Sequence, residues 1–463
     1  MNSFDEMYIL DLHGNTKKKE KCPNGSKDVN VFDIKQGVAI ALFIKKKRKK
    51  KLLLHADLWG KRESKYSWLQ ENNINTTEWK SISPKSEFYL FIPRDEGLSV
   101  VYEKYWKVTD IFPVNCLGIQ THRDDFVIDF KYADLRRRIM MFRNLSLPDE
   151  VIQATFKLHK KINGKSISEV RKKINADKSW DSFFNKILYR PFDVRDIYFS
   201  PLLVDRPRLE VMSNISNSNL ALLVPRRAHA WHHAFISENL AIDVAISSAT
   251  TEANYFFPLY LYSPKENKGL FHAEGETKEP NIRPELFTSL SKAYKKSLSP
   301  EEIFYYIYSI LYSETYRTKY AEFLKIDFPR VPFTSDYKLF RKMSDYGKRL
   351  VDLHLLTSPE LHSPIARFQG KGDNRVEKQK YDEKAGRVSI NKEQYFEGVS
   401  GEAWTYQIGG YQVCDKWLKD RKVRTDPRLS LDEIQTYCRI VTAIQETIEI
   451  QKAIDEVYEA VEQ

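Results

Sequence analysis

Apolar and polar positions run in short blocks through the first hundred residues and in longer helical periods toward the end. Met7-Tyr-Ile-Leu-Asp-Leu12 reads as a short strand. Val38-Ala-Ile-Ala-Leu-Phe-Ile44 reads as a second, and its near-continuous apolar character suits a strand covered on both faces. Residues 52–58 give a third strand, 63–71 a helix, and 88–92 a fourth strand ended by Pro93. The polar turn from Gly118 to Asp125 puts Arg123 after a strand, and the alternation over 126–130 predicts another. From 132 to 186 the pattern is helical, highly charged and poor in apolar residues, as in a connecting spacer.

Short strand signals return between 187 and 262, and capped helices follow. Ser299-Pro-Glu-Glu302 is a capping-box start with proline at the first helical position. Ile303, Tyr306, Ile307, Ile310 and Leu311 then share one face, and residues 323–332, with Pro329 and Pro332, break the helix. A further helix is predicted over 336–356, burying Leu339, Met343, Leu350 and Leu353. The lysine-rich stretch 364–395 reads as strands with a mobile loop near 370–374, and Gly409-Gly410 as a turn framed by Trp404, Tyr406 and Trp417. Ser430-Leu-Asp-Glu433 opens a long helix with Ile434, Cys438, Val441, Ile444 and Ile448 on one side.

Length and charge narrow the picture. A chain of 463 residues holds two or three domains. Its 74 Lys and Arg against 63 Asp and Glu leave a formal charge of +11, which favours polyanionic partners. The basic run from Lys45 to Lys51 reads as a solvated turn or a phosphate contact. Cys22, Cys116, Cys414 and Cys438 form no two-residue pair, so neither a disulfide framework nor a zinc finger is indicated. With no signal-peptide pattern and no apolar run long enough to span a bilayer, a soluble cytoplasmic protein without membrane contact is expected.

Candidate chemistry concentrates between 189 and 262. Arg190, Arg195, Arg206, Arg208, Arg226, Arg227, His229, Trp231 and His232 lie on turns and strand ends, with Arg123 joining from upstream. Guanidinium and imidazole groups among aromatics suit contact with phosphates and base edges. Arg190 and Arg195 could equally form buried ion pairs with Asp193 and Asp196 that fix the fold. His229, His232 and His233 could ligate a metal but lack a Cys or carboxylate at ligand spacing. Asp57, Glu63 and Lys65 loosely mimic a metal-dependent nuclease core, a spacing that chance supplies readily in so charged a chain. No Gly-rich phosphate loop and no dinucleotide fingerprint occurs.

Five blocks carry a family resemblance: Tyr8-Ile-Leu-Asp-Leu-His-Gly-Asn15; Asn30-Val-Phe-Asp-Ile-Lys-Gln-Gly37; Tyr189-Arg-Pro-Phe-Asp193 with Val204-Asp-Arg-Pro-Arg208; Tyr320-Ala-Glu-Phe-Leu-Lys-Ile-Asp-Phe-Pro329; and Trp404-Thr-Tyr-Gln-Ile-Gly-Gly410. In order and content they resemble the C-terminal part of type ISP restriction-modification enzymes. The resemblance implies an α+β, multi-part chain. Residues 1–93 would be the last strands of a Rossmann-like α/β adenine methyltransferase domain, 94–186 a spacer, and 187–463 a target-recognition domain. It also implies phage defence through recognition of a short sequence in double-stranded DNA, which directs adenine methylation. The glycine-bearing S-adenosylmethionine motif and the Asn-Pro-Pro-Tyr catalytic motif of such enzymes do not occur in these residues. This chain is therefore expected to bind no cofactor and hold no catalytic residue by itself. S-adenosylmethionine is expected in a complete enzyme whose catalytic half is upstream or on a separate polypeptide. A scaffold fragment that docks another protein is the competing class, and a restriction endonuclease a weaker one.

Overall fold

The computed structural model describes residues 3–16, 20–45, 51–83, 91, 98–215, 219–262 and 278–463. The chain divides into two compact units, Met1–Leu98 and Ser99–Gln463, and the architecture is mixed α+β.

In the first unit, β1 (Glu6–Asp11) lies between β2 (Ala39–Ile44), which is antiparallel to it, and β3 (Leu52–Asp57), which is parallel. Helix α1 (Arg62–Glu71) follows, and β4 (Lys80–Ser81) pairs with β3. Leu10, Leu12, Val31 and Ala56 form the core, with Trp68, Leu69 and Trp79 packed on it. Lys65 is fully buried, 2.8 Å from Asp28, and donates to the carbonyls of Leu12 and Val29. Asp57 accepts a hydrogen bond from His13 Nε2 at 3.0 Å, and Glu63 is exposed. The nuclease-like trio is therefore not assembled.

Strand β2 forms where the apolar run predicts it, but it is not covered on both faces. Ile40, Leu42 and Phe43 are 40%, 46% and 49% exposed, and β2 lies at the edge of the sheet. Most of the Lys45 to Lys51 run, and all but Phe91 of the strand expected over 88–92, fall outside the described residues.

In the second unit, after short elements between Ser99 and Ile111, come β5 (Cys116–Leu117), the helical turn α2 (Asp124–Val127) and β6 (Ile128–Asp129). The alternation over 126–130 thus resolves into one turn of helix and a two-residue strand. Thr121 and Tyr189 both bond Asp124 in that first turn. Helices α3 (Tyr132–Arg143), α4 (Asp149–Phe156) and α5 (Ile167–Ala176) follow. Sparse as their apolar residues are, Leu135, Ile139, Phe142, Ile152, Val170 and Ile174 are all buried.

Next come β7 (Phe184–Arg190), β8 (Asp193–Tyr198), β9 (Ala221–Pro225), β10 (Phe235–Ser237), β11 (Leu240–Ala241) and β12 (Asn254–Pro258). They build two four-stranded sheets, ordered β11-β7-β8-β6 and β10-β9-β12-β5, so strands from before residue 132 complete both.

Helix α6 (Pro300–Tyr312) has the full capping box of Ser299 and Glu302 and buries the predicted face. It ends at Ser313, earlier than the proline-bearing break, because the Ser313 hydroxyl caps a new helix at Glu314. Helix α7 (Tyr337–His354) buries Phe340, Met343, Leu350 and Leu353, whereas Leu339 is only half-buried. Strands β13 (Arg367–Gln369), β14 (Lys380–Asp382), β15 (Arg387–Ser389) and β16 (Tyr395–Glu397) form a sheet ordered β13-β16-β15-β14. The loop expected to be mobile near 370–374 is tied down: Gln394 exchanges two hydrogen bonds with Asn374, at 2.9 and 2.7 Å. A hairpin of β17 (Gln407–Ile408) and β18 (Tyr411–Gln412) turns at Gly409, whose φ of 59° is left-handed. Helix α8 (Val413–Lys422) leads to α9 (Leu431–Tyr458), which carries the Ser430 and Glu433 capping box.

Candidate nucleic-acid interface

The bulged hairpin of β7 and β8 turns through Pro191-Phe192, with Phe192 left-handed at φ 60°. This places Asp193, 1% exposed, between two guanidinium groups. Arg195 donates to its Oδ2 at 2.7 Å through Nη2, and Arg421 donates to its Oδ1 at 3.0 Å. Burial alone would raise the Asp193 carboxyl, but Arg421 and Arg195 hold it below the usual carboxylate range. Arg195 lies over the rings of Tyr189 and Phe130, at 3.8 and 3.9 Å from their centroids. Arg190 donates to the carbonyls of Tyr189 and Val244 and lies over Tyr189 and Tyr411. Asp196 takes Lys186 as its partner, at 2.7 Å. Arg190 and Arg195 thus form an internal hub around Asp193 and Tyr189.

The 226–233 segment divides. Arg226 is exposed and donates to Asp327 at 2.8 Å, which raises its pKa. Arg227 and His229 are exposed, but Trp231 is buried. His232 is half-buried, and burial followed by the Arg317 charge lowers its pKa. His233 is buried against Glu252 at 3.1 Å. Burial would raise Glu252, yet hydrogen bonds from His233 and Ser247 bring it to about 2. Among the described residues no three His, Cys, Asp or Glu converge on a metal position.

Arg123, Arg206 and Arg208 meet at a third place. Arg123 donates to the Thr121 carbonyl at 3.1 Å and also to that of Leu203, so it fastens 121–124 to 203–206. His122 is left-handed at φ 53°, which sets its Nδ1 3.1 Å from Asp205. Arg206, 56% exposed along its side chain, lies 3.7 Å from the same carboxylate. Arg208 is left-handed at φ 54°, with its Nε buried.

Beside this segment a cavity of about 740 Å³ opens between α2 and the turn after α4, and His122, Phe156, Lys157, His159, Lys161 and Tyr189 line it. Lys157 caps α4 in the left-handed region. The next turn, Asn163-Gly164, is held by the Asn163 amide donating to Val204 at 3.0 Å. Lys157, His159, Lys160 and Lys161 are exposed, and none has an ion-pair partner among the described residues. Tyr189 joins hub and cavity: its hydroxyl donates to Asp124 at 3.0 Å, and burial, with Asp124 next, raises it to about 12.

The fold therefore brings Arg123 and Arg206 together, sets Arg226, Arg227 and His229 on an exposed turn, and turns Arg190, Arg195 and Trp231 inward. The reading of the 132–186 stretch as a spacer passed over the cavity's lysines. Its signal was the run Lys157-Leu-His-Lys-Lys161 before an Asn-Gly turn.

A family model, the Type ISP C-terminal specificity domain, matches residues 110–453. The fold is similar to a nuclease-deletion mutant of the Type ISP restriction-modification enzyme LlaGI in complex with a DNA substrate mimic, at 20% identity and TM-score 0.67, covering 97% of this chain and 37% of that one. It is similar to the ATP-dependent Type ISP enzyme LlaBIII bound to DNA, at 20% identity and TM-score 0.72, covering 98% and 31%. It is also similar to the DrdV–DNA complex, at 19% identity and TM-score 0.70, covering 97% and 47%. The chain thus spans 31% to 47% of the length of these structures. None of the curated proteins matches it.

Proposed function

Because the chain belongs to the Type ISP C-terminal specificity domain family, we propose that it recognises a short sequence in double-stranded DNA within a restriction-modification system. One observation carries this reading: an open groove of about 740 Å³ with Lys157, His159 and Lys161 unpaired on its rim among the described residues. Unpaired ammonium groups at a surface exchange hydration for phosphate contacts and release counterions. Arg123 and Arg206 lend charge beside the groove, and Arg226, Arg227 and His229 are available for a separate contact. The fold shared with the DNA complexes supports the same reading.

In this proposal 94–186 and 187–463 act together as the recognition part. The first unit is the end of a Rossmann-like α/β methyltransferase sheet, as its parallel β1 and β3 with α1 suggest. The exposed apolar β2 fits further strands from a catalytic half, upstream or on a separate polypeptide. S-adenosylmethionine is assigned to that half. In this chain the glycine after β1, Gly14, is closed off, since a Cβ there would lie 2.3 Å from Asn30 Cα. Gly14 therefore offers no open cradle for the cofactor. No helix among the described residues is long and apolar enough to cross a membrane, and a cytoplasmic site of action is part of the proposal.

The test is the affinity of the full chain for duplex DNA over a salt series. The logarithmic slope is expected to fall by about 0.9 for each phosphate that is no longer neutralised, hence by about 2 in a Lys157→Ala/Lys161→Ala variant. Absence of duplex binding at low salt overturns the reading. An unchanged slope removes the groove from it.

A further inference from the structure

Gln120 lies between β5 and α2, on a segment already fixed by its backbone. Its N–H and carbonyl pair with Arg206 at 3.3 and 2.9 Å, and Ile119 bridges to Ile242. Gly118 is packed so closely that a Cβ would lie 2.5 Å from the Asp243 amide nitrogen, and that amide donates to the Ile119 carbonyl at 3.0 Å. The fold therefore has no need of a further tie here. Yet the Gln120 side chain is also held: Nε2 donates to Asp243 Oδ2 at 2.6 Å.

That bond uses one hydrogen of the carboxamide. The second N–H and Oε1 have no partner among the described residues, and the side chain is half-buried, reaching the surface. What remains is one donor and one acceptor side by side, already oriented, so little rotamer entropy is lost on binding. Exposed His122 and Arg206 flank it, both beside Asp205. An oriented carboxamide matches the N6 amino donor and N7 acceptor that adenine presents in the major groove, whereas guanine offers two acceptors there. Asp243 cannot itself face a phosphate with profit. Burial raises its carboxyl pKa and the Gln120 amide counters this, as suits a support under the amide.

We propose that Gln120, positioned by Asp243, reads the N6 and N7 edge of one adenine in the DNA target. The inference rests on the duplex-recognition reading above. Gln120 is the contact and Asp243 the positioning residue.

Selection from duplexes randomised over about two helical turns tests it, using the full chain, Gln120→Ala and Asp243→Ala. Wild type is expected to enrich a motif containing an A·T pair that Gln120→Ala accepts in any form, with discrimination there reduced about tenfold or more and the rest of the motif retained. Asp243→Ala should weaken preference at the same pair by less, because the amide is present but loose. Both variants should melt with wild type, since the backbone ties persist. An unchanged motif in Gln120→Ala overturns the proposal, as does a uniform loss of affinity or a lowered melting temperature. If wild type enriches no sequence, the recognition reading falls with it; if wild type enriches a motif and the variants match it, only the role of Gln120 falls.

Discussion

Replacing Arg421 by alanine separates a structural hub from a DNA contact. Arg421, 6% exposed, donates to Asp193 at 3.0 Å, to Glu433 at 3.2 Å and to the Trp417 carbonyl at 3.1 Å, and lies 3.2 Å from the Trp417 ring centroid. Removing one partner of a buried pair costs about 3–5 kcal/mol, because the remaining charge is left without compensation. Here each carboxylate keeps one cation: Arg195 stays on Asp193, and Arg424 stays on Glu433. The lower end, about 3 kcal/mol, therefore applies. At about 2.1 cal/mol/K per residue, the unit Ser99–Gln463 melts with an entropy of about 0.8 kcal/mol/K, so the expected shift in Tm is about 4 °C downward. A near-ultraviolet circular dichroism melt reads it through Trp417. Asp193 has a lowered pKa, so its stabilising pairs are present above the unfolded carboxylate value of about 3.9 and lost as pH falls through the folded one. The gap between wild type and variant should accordingly be full at neutral pH and narrow below about pH 4. An unchanged Tm together with weakened duplex binding would refute the structural assignment of the hub.

Two further perturbations test the helical core and its titration. Gly347 faces α6 so closely that a Cβ would lie 1.8 Å from the Tyr305 carbonyl oxygen. Gly347→Ala should therefore lower the urea midpoint despite the roughly 1 kcal/mol that alanine normally contributes in a helix, and a raised midpoint would disprove the close approach. His354 is buried, with its ring nitrogens 2.7 Å from the Tyr308 hydroxyl and 3.0 Å from the Thr447 hydroxyl, and burial, with the Arg317 charge, lowers its pKa to about 3. A depressed histidine stays neutral in the folded chain while the unfolded one protonates near 6.5. Stability should then decline as pH falls from about 6.5 toward 3, and the His354 C2 proton should not shift in NMR between about pH 8 and 5. Titration of that proton above about pH 6 would contradict the buried placement.

Local features were readable from sequence where their cause is local. Ser299 with Glu302 and Ser430 with Glu433 each satisfy backbone groups three residues apart, and both boxes form. The hub was not readable in the same way: Asp193 meets Arg421 across 228 residues, and only the Arg195 half of the arrangement is close in sequence. Trp231 was read as a contact because aromatics serve both interfaces and cores, and here the core takes it. The apolar run at β2 correctly announces a strand that needs cover, yet hydrophobicity does not say which chain supplies it. Of the candidate residues, Arg123 and Arg206 lie beside the cavity, whereas the lysines after α4 carried no such expectation. Their stretch is poor in apolar residues, and its few buried side chains, such as Ile152 and Ile174, are enough to pack it.

The inward placement of Arg190 and Arg195 bears on the proposed DNA recognition. Arg195 is engaged by Asp193 and by the rings of Tyr189 and Phe130, and Arg190 by two backbone carbonyls and the rings of Tyr189 and Tyr411, which assigns the Tyr189-Arg-Pro-Phe-Asp193 block to architecture. Its influence on recognition runs through Tyr189, whose hydroxyl holds Asp124 at 3.0 Å, while Asp124 also takes the Thr121 hydroxyl. Thr121 is the neighbour of Gln120. A hydrogen-bonded path thus links the hub to the proposed reading residue, and loosening the hub would disturb recognition without any hub side chain touching DNA. Base choice, on this argument, falls to side chains such as Gln120 that the scaffold positions but does not consume, and these can be exchanged without unfolding what holds them.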